Sequence, residues 1–302
     1  MNKKKRPFRP GAGFFLLCLA LIISGLILFG AINARVVRVK YESVSVSGLD
    51  DRLVGTRVLF VSDLKLTSAR EAQRAAKLMK KLDGLNPDII IIGGDVTDKS
   101  LLDLIKLATG EDISEVTSRQ NLVRDEFFML INDLSAPVVI VPGDADTVPD
   151  AASLKRTQNI VYLNGEQKAF KINGAKLTVY GCGDYSSGTL AGFNYDDDGA
   201  TCVIAVTHDP NGYRNISIKQ KNGLFLADLV LSGHTLGGQI SVGGFSLFHA
   251  QTDKEYPVGT SSYIRGVPLI VSSGIGCEYI PLRIGTRPTA HLITLTKGST
   301  ND

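Results

Sequence analysis

Five short apolar runs in this chain each end on a residue that can bind a metal or carry a proton. Val58-Leu59-Phe60-Val61 ends in Ser62-Asp63, Ile89-Ile90-Ile91-Ile92 in Gly94-Asp95, and Val138-Val139-Ile140-Val141 in Gly143-Asp144. Val203-Ile204-Ala205-Val206 leads to Thr207-His208, and Leu229-Val230-Leu231 to Gly233-His234. One aspartate after a strand is usually a turn or cap residue, and one histidine is more often a hydrogen-bonded structural group than a ligand. Five coincidences, using two of the four histidines, make independent structural explanations poor. Carboxylates and imidazoles converging on one edge suit a divalent transition metal such as Mn²⁺, Fe²⁺ or Zn²⁺. Gly94, Gly143 and Gly233 are expected to let the backbone turn sharply before each ligand.

The elements that must position these residues are legible around them. The five runs are short, mostly β-branched and apolar at every position, as central strands covered on both faces are. Open α/β sheets bind ligands at the carboxyl ends of their strands, where these acids and imidazoles fall. The stretch Val36 to Val46 alternates apolar and polar and predicts a half-buried strand. Ser68-Ala69-Arg70-Glu71 fits a capping box opening a helix, with Ala72, Ala75, Ala76, Met79 and Leu82 on one face and Gly84 at its end. Phe127 to Leu134 predicts another helix, and the polar stretch from Gly110 to Gln120 a surface insertion. Asn164-Gly165 and Asn173-Gly174 read as hairpin turns. No repeat or composition break divides residues 36–297, which are expected to form one domain ahead of a short tail, 298–302.

The ordered blocks Ser62-Asp63-Leu64-Lys65, Gly94-Asp95, Gly143-Asp144-Ala145-Asp146, His208 and Gly233-His234-Thr235-Leu236-Gly237-Gly238-Gln239 resemble those of the calcineurin-like metallophosphoesterases. That family carries D-x-H, G-D, G-N-H-D/E, a lone H and G-H-x-H. The G-G-Q extension, with Ser272-Ser273-Gly274-Ile275-Gly276 and Pro281-Leu282-Arg283, resembles a membrane-associated bacterial branch. The resemblance runs from Val39 to Leu295. It implies an α/β fold, a two-sheet sandwich flanked by helices, with a dinuclear metal site.

The departures fall unevenly. In the family one metal is held at the positions of Asp63, Lys65, Asp95 and Leu236, so here both of its imidazoles are gone and the site is vestigial. The other metal uses the positions of Asp95, Asp144, His208 and His234, all able to bind metal, which implies one divalent ion at most. The family's catalytic histidine is Ala145, leaving the catalytic residues unknown, and the arginine expected between Ser272 and Gly274 is Ser273. Lys65 has two readings: a fixed cation between Asp63 and Asp95 in place of the lost metal, or a side chain extended into solvent beside a decaying site. Three aspartates, one lysine and one divalent ion give a near-neutral pocket. Such a pocket holds phosphate dianions poorly and lacks the two-metal clamp on attacking and leaving oxygens.

Outside these blocks, His249 and His291 read as surface or core residues, and Asp196-Asp197-Asp198-Gly199 as a solvated acidic turn lacking EF-hand spacing. Cys18 lies in the apolar segment. Cys182, Cys202 and Cys277 contain no C-x-x-C pair, their pairing stays open, and Cys202 reads as a buried small hydrophobe.

Charge is segregated. The first 40 residues hold eight of the 33 basic side chains and none of the 30 acidic ones, so the remainder is acidic by five. An acidic body offers nucleic acid no clustered basic face. The basic residues bracket Gly11 to Ile32, which has no charged side chain and at 1.5 Å per residue spans roughly 33 Å, enough for a bilayer core. A cleaved signal would have a shorter apolar region and a small residue three before the cut. Residues 11–33 are therefore expected to remain as a membrane anchor, with residues 1–10 a basic cytoplasmic flank. Five basic residues precede the span and three follow, which places the domain on the outer side of the cell membrane. Expected partners are the bilayer and a phosphorylated lipid or small molecule. Two functions stay open: a degenerate, binding-only member with one metal, or a metal-dependent phosphoesterase acting near the membrane. Oligomeric state is not legible.

Overall fold

The structure is a computed structural model that describes residues 11–182, 199–213, 216, 220–221, 224–225, 227–242, 245–246, 261–264 and 267–298. Asp196 to Asp198 and His249 lie outside the described residues. Two six-stranded sheets form the centre. The first comprises β1 (Arg38–Val46), β2 (Arg57–Val61), β3 (Ile89–Gly93), β4 (Val138–Val141), β5 (Ile160–Tyr162) and β16 (Thr289–Lys297), in the order β1-β16-β2-β3-β4-β5. The second comprises β6 (Glu166–Ile172), β7 (Ala175–Gly181), β8 (Cys202–Val206), β11 (Leu229–Ser232), β14 (Ser261–Ile264) and β15 (Val267–Val271), in the order β14-β15-β11-β8-β7-β6. Two-residue ribbons, β9 (Gln220–Lys221) with β10 (Leu224–Phe225) and β12 (Ser241–Val242) with β13 (Phe245–Ser246), complete the strands. β2, β3, β4 and β5 run parallel, as do β7, β8, β11 and β15.

Apolar residues at every strand position follow from this layering. Val58, Phe60, Ile89, Ile91, Val139 and Val141 point between the sheets onto Leu177, Val179, Ile204, Val206, Leu229 and Leu231. Their neighbours Leu59, Val61, Ile90, Ile92, Val138 and Ile140 face outward beneath α2 (Ala69–Asp83) and α4 (Ile113–Ile131). Each fully buried Val, Leu, Ile or Phe contributes about 1.5–3 kcal/mol relative to exposure, so either face alone would leave half the gain unused. The predicted two-sheet sandwich with flanking helices is the observed architecture.

Three local expectations are corrected. Ser68 does cap α2, its side chain accepting from the Glu71 amide, but the Glu71 carboxylate binds the Thr67 amide and hydroxyl, both at 2.8 Å, not the Ser68 amide. The stretch 110–120, expected as a surface insertion, is largely exposed but mostly helical. α3 (Leu101–Ala108) precedes it and α4 begins at Ile113, capped by Asp112 and burying Val116 and Gln120. Its polar composition hid a periodic buried face. Asn173-Gly174 forms the predicted tight turn, both residues at positive φ between antiparallel β6 and β7. Asn164-Gly165 instead joins β5 of one sheet to β6 of the other.

α1 (Ala12–Asn33) is the one described helix long and apolar enough to cross a membrane. Its outer turns touch little, but its end is docked on the domain. The Asn33 amide nitrogen donates to the carbonyls of Arg283 (3.0 Å) and Thr286 (2.7 Å), and the Arg283 amide donates to the Gly30 carbonyl (3.0 Å).

Candidate metal centre

The carboxyl ends of β2, β3 and β4 in one sheet meet those of β8 and β11 in the other, and the five residues singled out by sequence stand there. One ligand atom from each of Asp95, Asp144, His208 and His234 lies within 4.8 Å of the others. Backbone geometry at these strand ends is unusual. Asp63, Lys65, Asp95, His234 and Leu236 all have φ between 51° and 69°, a left-handed conformation costing roughly 1–2 kcal/mol per residue without glycine. Cross-loop bonds hold it: the Asp63 amide donates to the Gly94 carbonyl and the Lys65 amide to the Asp95 carbonyl, both at 2.9 Å. The glycines act differently from expectation. Gly94 does turn, at φ 90°. Gly143 and Gly233 keep negative-side φ and serve close approach instead, for a Cβ on Gly143 would sit 2.2 Å from Asp95 Oδ1.

His208 is fully enclosed and its tautomer is fixed. Nδ1 lies 2.7 Å from the Gly93 carbonyl and must donate to it. Nε2 points at Asp95 Oδ2 (3.2 Å) and Asp144 Oδ1 (3.3 Å), so in the neutral ring its lone pair is aimed into the cluster, and in the charged ring it carries a proton there. A buried imidazole oriented by a carbonyl on one nitrogen, with the other aimed between two carboxylates, fits a metal ligand. Without a cation, burial would discharge this ring, but the Asp95 and Asp144 carboxylates overcome that and hold its pKa well above the ordinary value. His234 Nδ1 sits 3.1 Å from Asp144 Oδ1, and its ring meets that of His208 edge-on at 5.2 Å. Burial opposes ionisation of Asp95, yet His208 and Lys65 together keep its carboxyl below the usual range. Asp144 is likewise depressed against its own desolvation by the two imidazoles. The four groups thus form a donor set rich in negative charge that two protons or one divalent ion can balance.

Lys65 lies beside this cluster. Lys65 is only 7% exposed in its side chain, and its Nζ lies 2.6 Å from Asp95 Oδ2 and 3.2 Å from Asp98 Oδ2. Desolvation pulls its pKa down, but Asp95, Asp98 and Asp63 raise it well above the usual lysine value, so the ammonium is permanent. The solvent-extended reading of Lys65 is overturned. The fixed-cation reading holds with one change, since the direct partners are Asp95 and Asp98 while Asp63 acts at longer range. Asp63 is fully buried and accepts the His234 amide on both oxygens, at 3.1 and 3.2 Å. Leu236 is buried at 2% exposure and offers no donor atom. The Ala145 amide donates to Asp95 Oδ1 at 3.0 Å, so this position keeps a backbone role where its side chain has none.

Sequence reasoning assigned no role to three supports, two of which stand in the quoted blocks. Asp98 completes the Lys65 pair, and only its place three residues after Asp95 hinted at it. Asp146 accepts the Thr97 and Gly143 amides, each at 3.0 Å, bracing the loop that carries Asp144. Arg283, with 0% exposure, donates to the carbonyls of Leu236 (2.9 Å), Ser273 (2.7 Å) and Gly276 (3.0 Å), tying together the loops beneath His234. Ser273 takes no part in the cluster and donates its hydroxyl to the Arg287 carbonyl at 2.8 Å. His291 lies elsewhere, buried at 2.6 Å from Glu42. Cys182, Cys202 and Cys277 are free thiols.

Comparison with known proteins identifies the family of the fold. Residues 56–238 match the family model described as calcineurin-like phosphoesterase. An "Uncharacterized protein YpbG" of Bacillus subtilis is 25% identical over 226 residues, covering 72% of this chain and 74% of that protein. An "Uncharacterized metallophosphoesterase" of Helicobacter pylori is 26% identical over 260 residues, covering 82% of this chain and 60% of that protein. A zebrafish (Danio rerio) "Transmembrane protein with metallophosphoesterase domain" is 32% identical over 284 residues, covering 89% of this chain and 60% of that protein.

Proposed function

Since the chain belongs to the calcineurin-like phosphoesterase family, we propose that it is a membrane-anchored member that binds one divalent ion and hydrolyses ordinary phosphoesters very slowly or not at all. The observation that carries this reading is the Lys65 ammonium 2.6 Å from Asp95 Oδ2, on the carboxylate that bridges two metals elsewhere in the family. A second cation there would face a permanent positive charge with Leu236 in place of a ligand. Asp95, Asp144, His208 and His234 would hold the single ion, and carboxylate with imidazole suits Mn²⁺, Fe²⁺ or Zn²⁺. When bound, such an ion supplies Lewis acidity toward a phosphoryl oxygen. The protein's own residues supply little more. Ala145 has no proton to give a leaving group, Leu236 no charge for the phosphate, and Lys65 is spent on Asp95 and Asp98.

α1 supports the anchor, as do the basic residues on both sides of it, and these favour a cytoplasmic N-terminus with the domain outside. A second reading, hydrolysis of a membrane-proximal phosphorylated compound, is favoured by one observation. The Asp144 and His234 side chains, 37% and 20% exposed, stay open to an incoming ligand.

The deciding measurement is elemental analysis of the purified full chain in detergent. One ion or fewer per chain is expected, lost in His208→Ala or His234→Ala and kept in Lys65→Ala. Two tightly bound ions in the wild-type chain would refute the one-metal reading. Robust turnover of mono- or diester substrates, abolished by His234→Ala, would replace it with a one-metal hydrolase.

A further inference from the structure

A second concavity, of about 690 Å³, opens where α1 meets the domain, and none of the four clustered Asp and His residues lines it. Its volume is that of an ordinary ligand pocket. Its floor is aliphatic, formed by buried Leu64 and Leu66 with Leu78 and Ile275 beside them. Arg35, Arg74 and Lys99 also line it, and none of the three has an ion-pair partner among the described residues. Of the acids of the same wall, Asp98 is paired with Lys65, while Glu71 keeps its charge as it accepts the Thr67 amide and hydroxyl, so the positive lining residues still outnumber the negative ones. The cavity therefore combines unneutralised positive charge with an apolar floor.

Its position selects among the ligands such a cavity could take. Ala34 and Arg35 follow directly on the last residue of α1, so they stand at headgroup depth if α1 spans a bilayer. Across the cavity, Leu101 begins α3, a helix with no buried residue. Leu101, Leu102 and Ile105 are 49%, 59% and 53% exposed, an apolar side that the protein itself leaves uncovered.

We infer that this cavity binds an anionic phospholipid drawn from the membrane that holds α1. Its phosphate lies among Arg35, Arg74 and Lys99, where guanidinium and ammonium donors give charge-assisted bonds. One acyl chain runs along Leu64, Leu66 and Ile275 and leaves past α3 into the bilayer. The inference rests on the membrane-anchored reading of α1, and no chemistry on the lipid is implied.

The test is photocrosslinking of the full chain in nanodiscs, using phosphatidylglycerol with a photoactivatable acyl chain and peptide mapping of the adducts. Adducts are expected on segments 64–78 and 275–281 as well as on α1. The double variant Arg74→Glu, Lys99→Glu, altered only at the cavity rim, should lower the cavity adducts at least about tenfold and leave the α1 adducts unchanged. Adducts confined to α1 would overturn the lipid site while leaving the anchor intact, whereas none on either would remove the anchor and the inference together. Equal cavity labelling by a phosphatidylcholine probe, or displacement by inorganic phosphate, would also overturn it, the latter by identifying a free-phosphate site.

Discussion

At the residue scale, the candidate site turns on what one ammonium does between two carboxylates. Lys65 stands where the family has an imidazole, and its burial against Asp95 and Asp98 makes it a counter-ion that cannot leave. Removing one partner of such a pair leaves charge buried without compensation, typically costing about 3–5 kcal/mol. Lys65→Met should therefore lower the chemical denaturation midpoint of metal-free protein by a correspondingly large amount. Unchanged stability would mean that the pair is solvent-relaxed and the ammonium dispensable. A constructive test restores the family residues: Lys65→His, Ala145→His and Leu236→His with Asp144→Asn. Two ions per chain are expected, together with a rise in phosphodiesterase activity of about 10²–10⁴-fold if the Ala145→His side chain acts as a general acid. A variant that loads two ions and stays inert would place the divergence in the substrate groove. Sequence made the positions of the cluster legible because each ligand type closes an apolar run. It could not show that Lys65 turns inward, because that depends on Asp98, whose type and spacing mark nothing by themselves.

At the element scale, the sheets were readable and the connections were not. Val58 to Val61 and Ile89 to Ile92 announce buried strands by composition alone, whereas Asn164-Gly165 has the chemistry of a hairpin turn yet serves as a crossover between sheets. α4 was half hidden because Val116 and Gln120 bury one face of an otherwise polar run. One connection carries a testable charge. Asp228, just before β11, accepts the Val203 amide at 2.8 Å, and burial pushes its carboxyl up to about 6. A carboxyl whose folded pKa is raised contributes stability that is full below its unfolded value near 4 and is lost as pH rises through about 6. Asp228→Asn keeps an acceptor for Val203 and removes the charge. It should flatten the stability profile between pH 4 and 6 and gain about 1–3 kcal/mol at pH 7 after allowance for solvent screening. A profile with the wild-type slope would show that this carboxylate is hydrated when ionised.

At the scale of the whole molecule, α1 and the domain are neighbours joined by specific bonds. Asn33 and Gly30 seat the end of α1 on the 283–286 segment, whose Arg283 side chain donates to the Leu236 carbonyl, two residues after His234. If the domain lies outside the cell, protease added to intact cells or spheroplasts should digest it. Protection until the membrane is broken would reverse the orientation. Composition foretold the helix, but not that it ends in a docking contact, since neither glycine nor asparagine there carries a pattern. The order of strands in the first sheet bears on the timing of synthesis. β16 lies between β1 and β2, pairing with β1 over nine positions. The strand that follows α1 therefore leaves the ribosome early and waits ~240 residues for its neighbour, roughly 10–50 s at ordinary elongation rates. During that interval α1 can already be held in the bilayer while β1 and β2 both present open edges to whatever is nearby. Nascent chains stalled at successive lengths should stay sensitive to protease until residue 297 has emerged, then gain protection in a single step. Protection acquired before Thr289 appears would mean that the sheet closes around a gap and admits β16 afterwards.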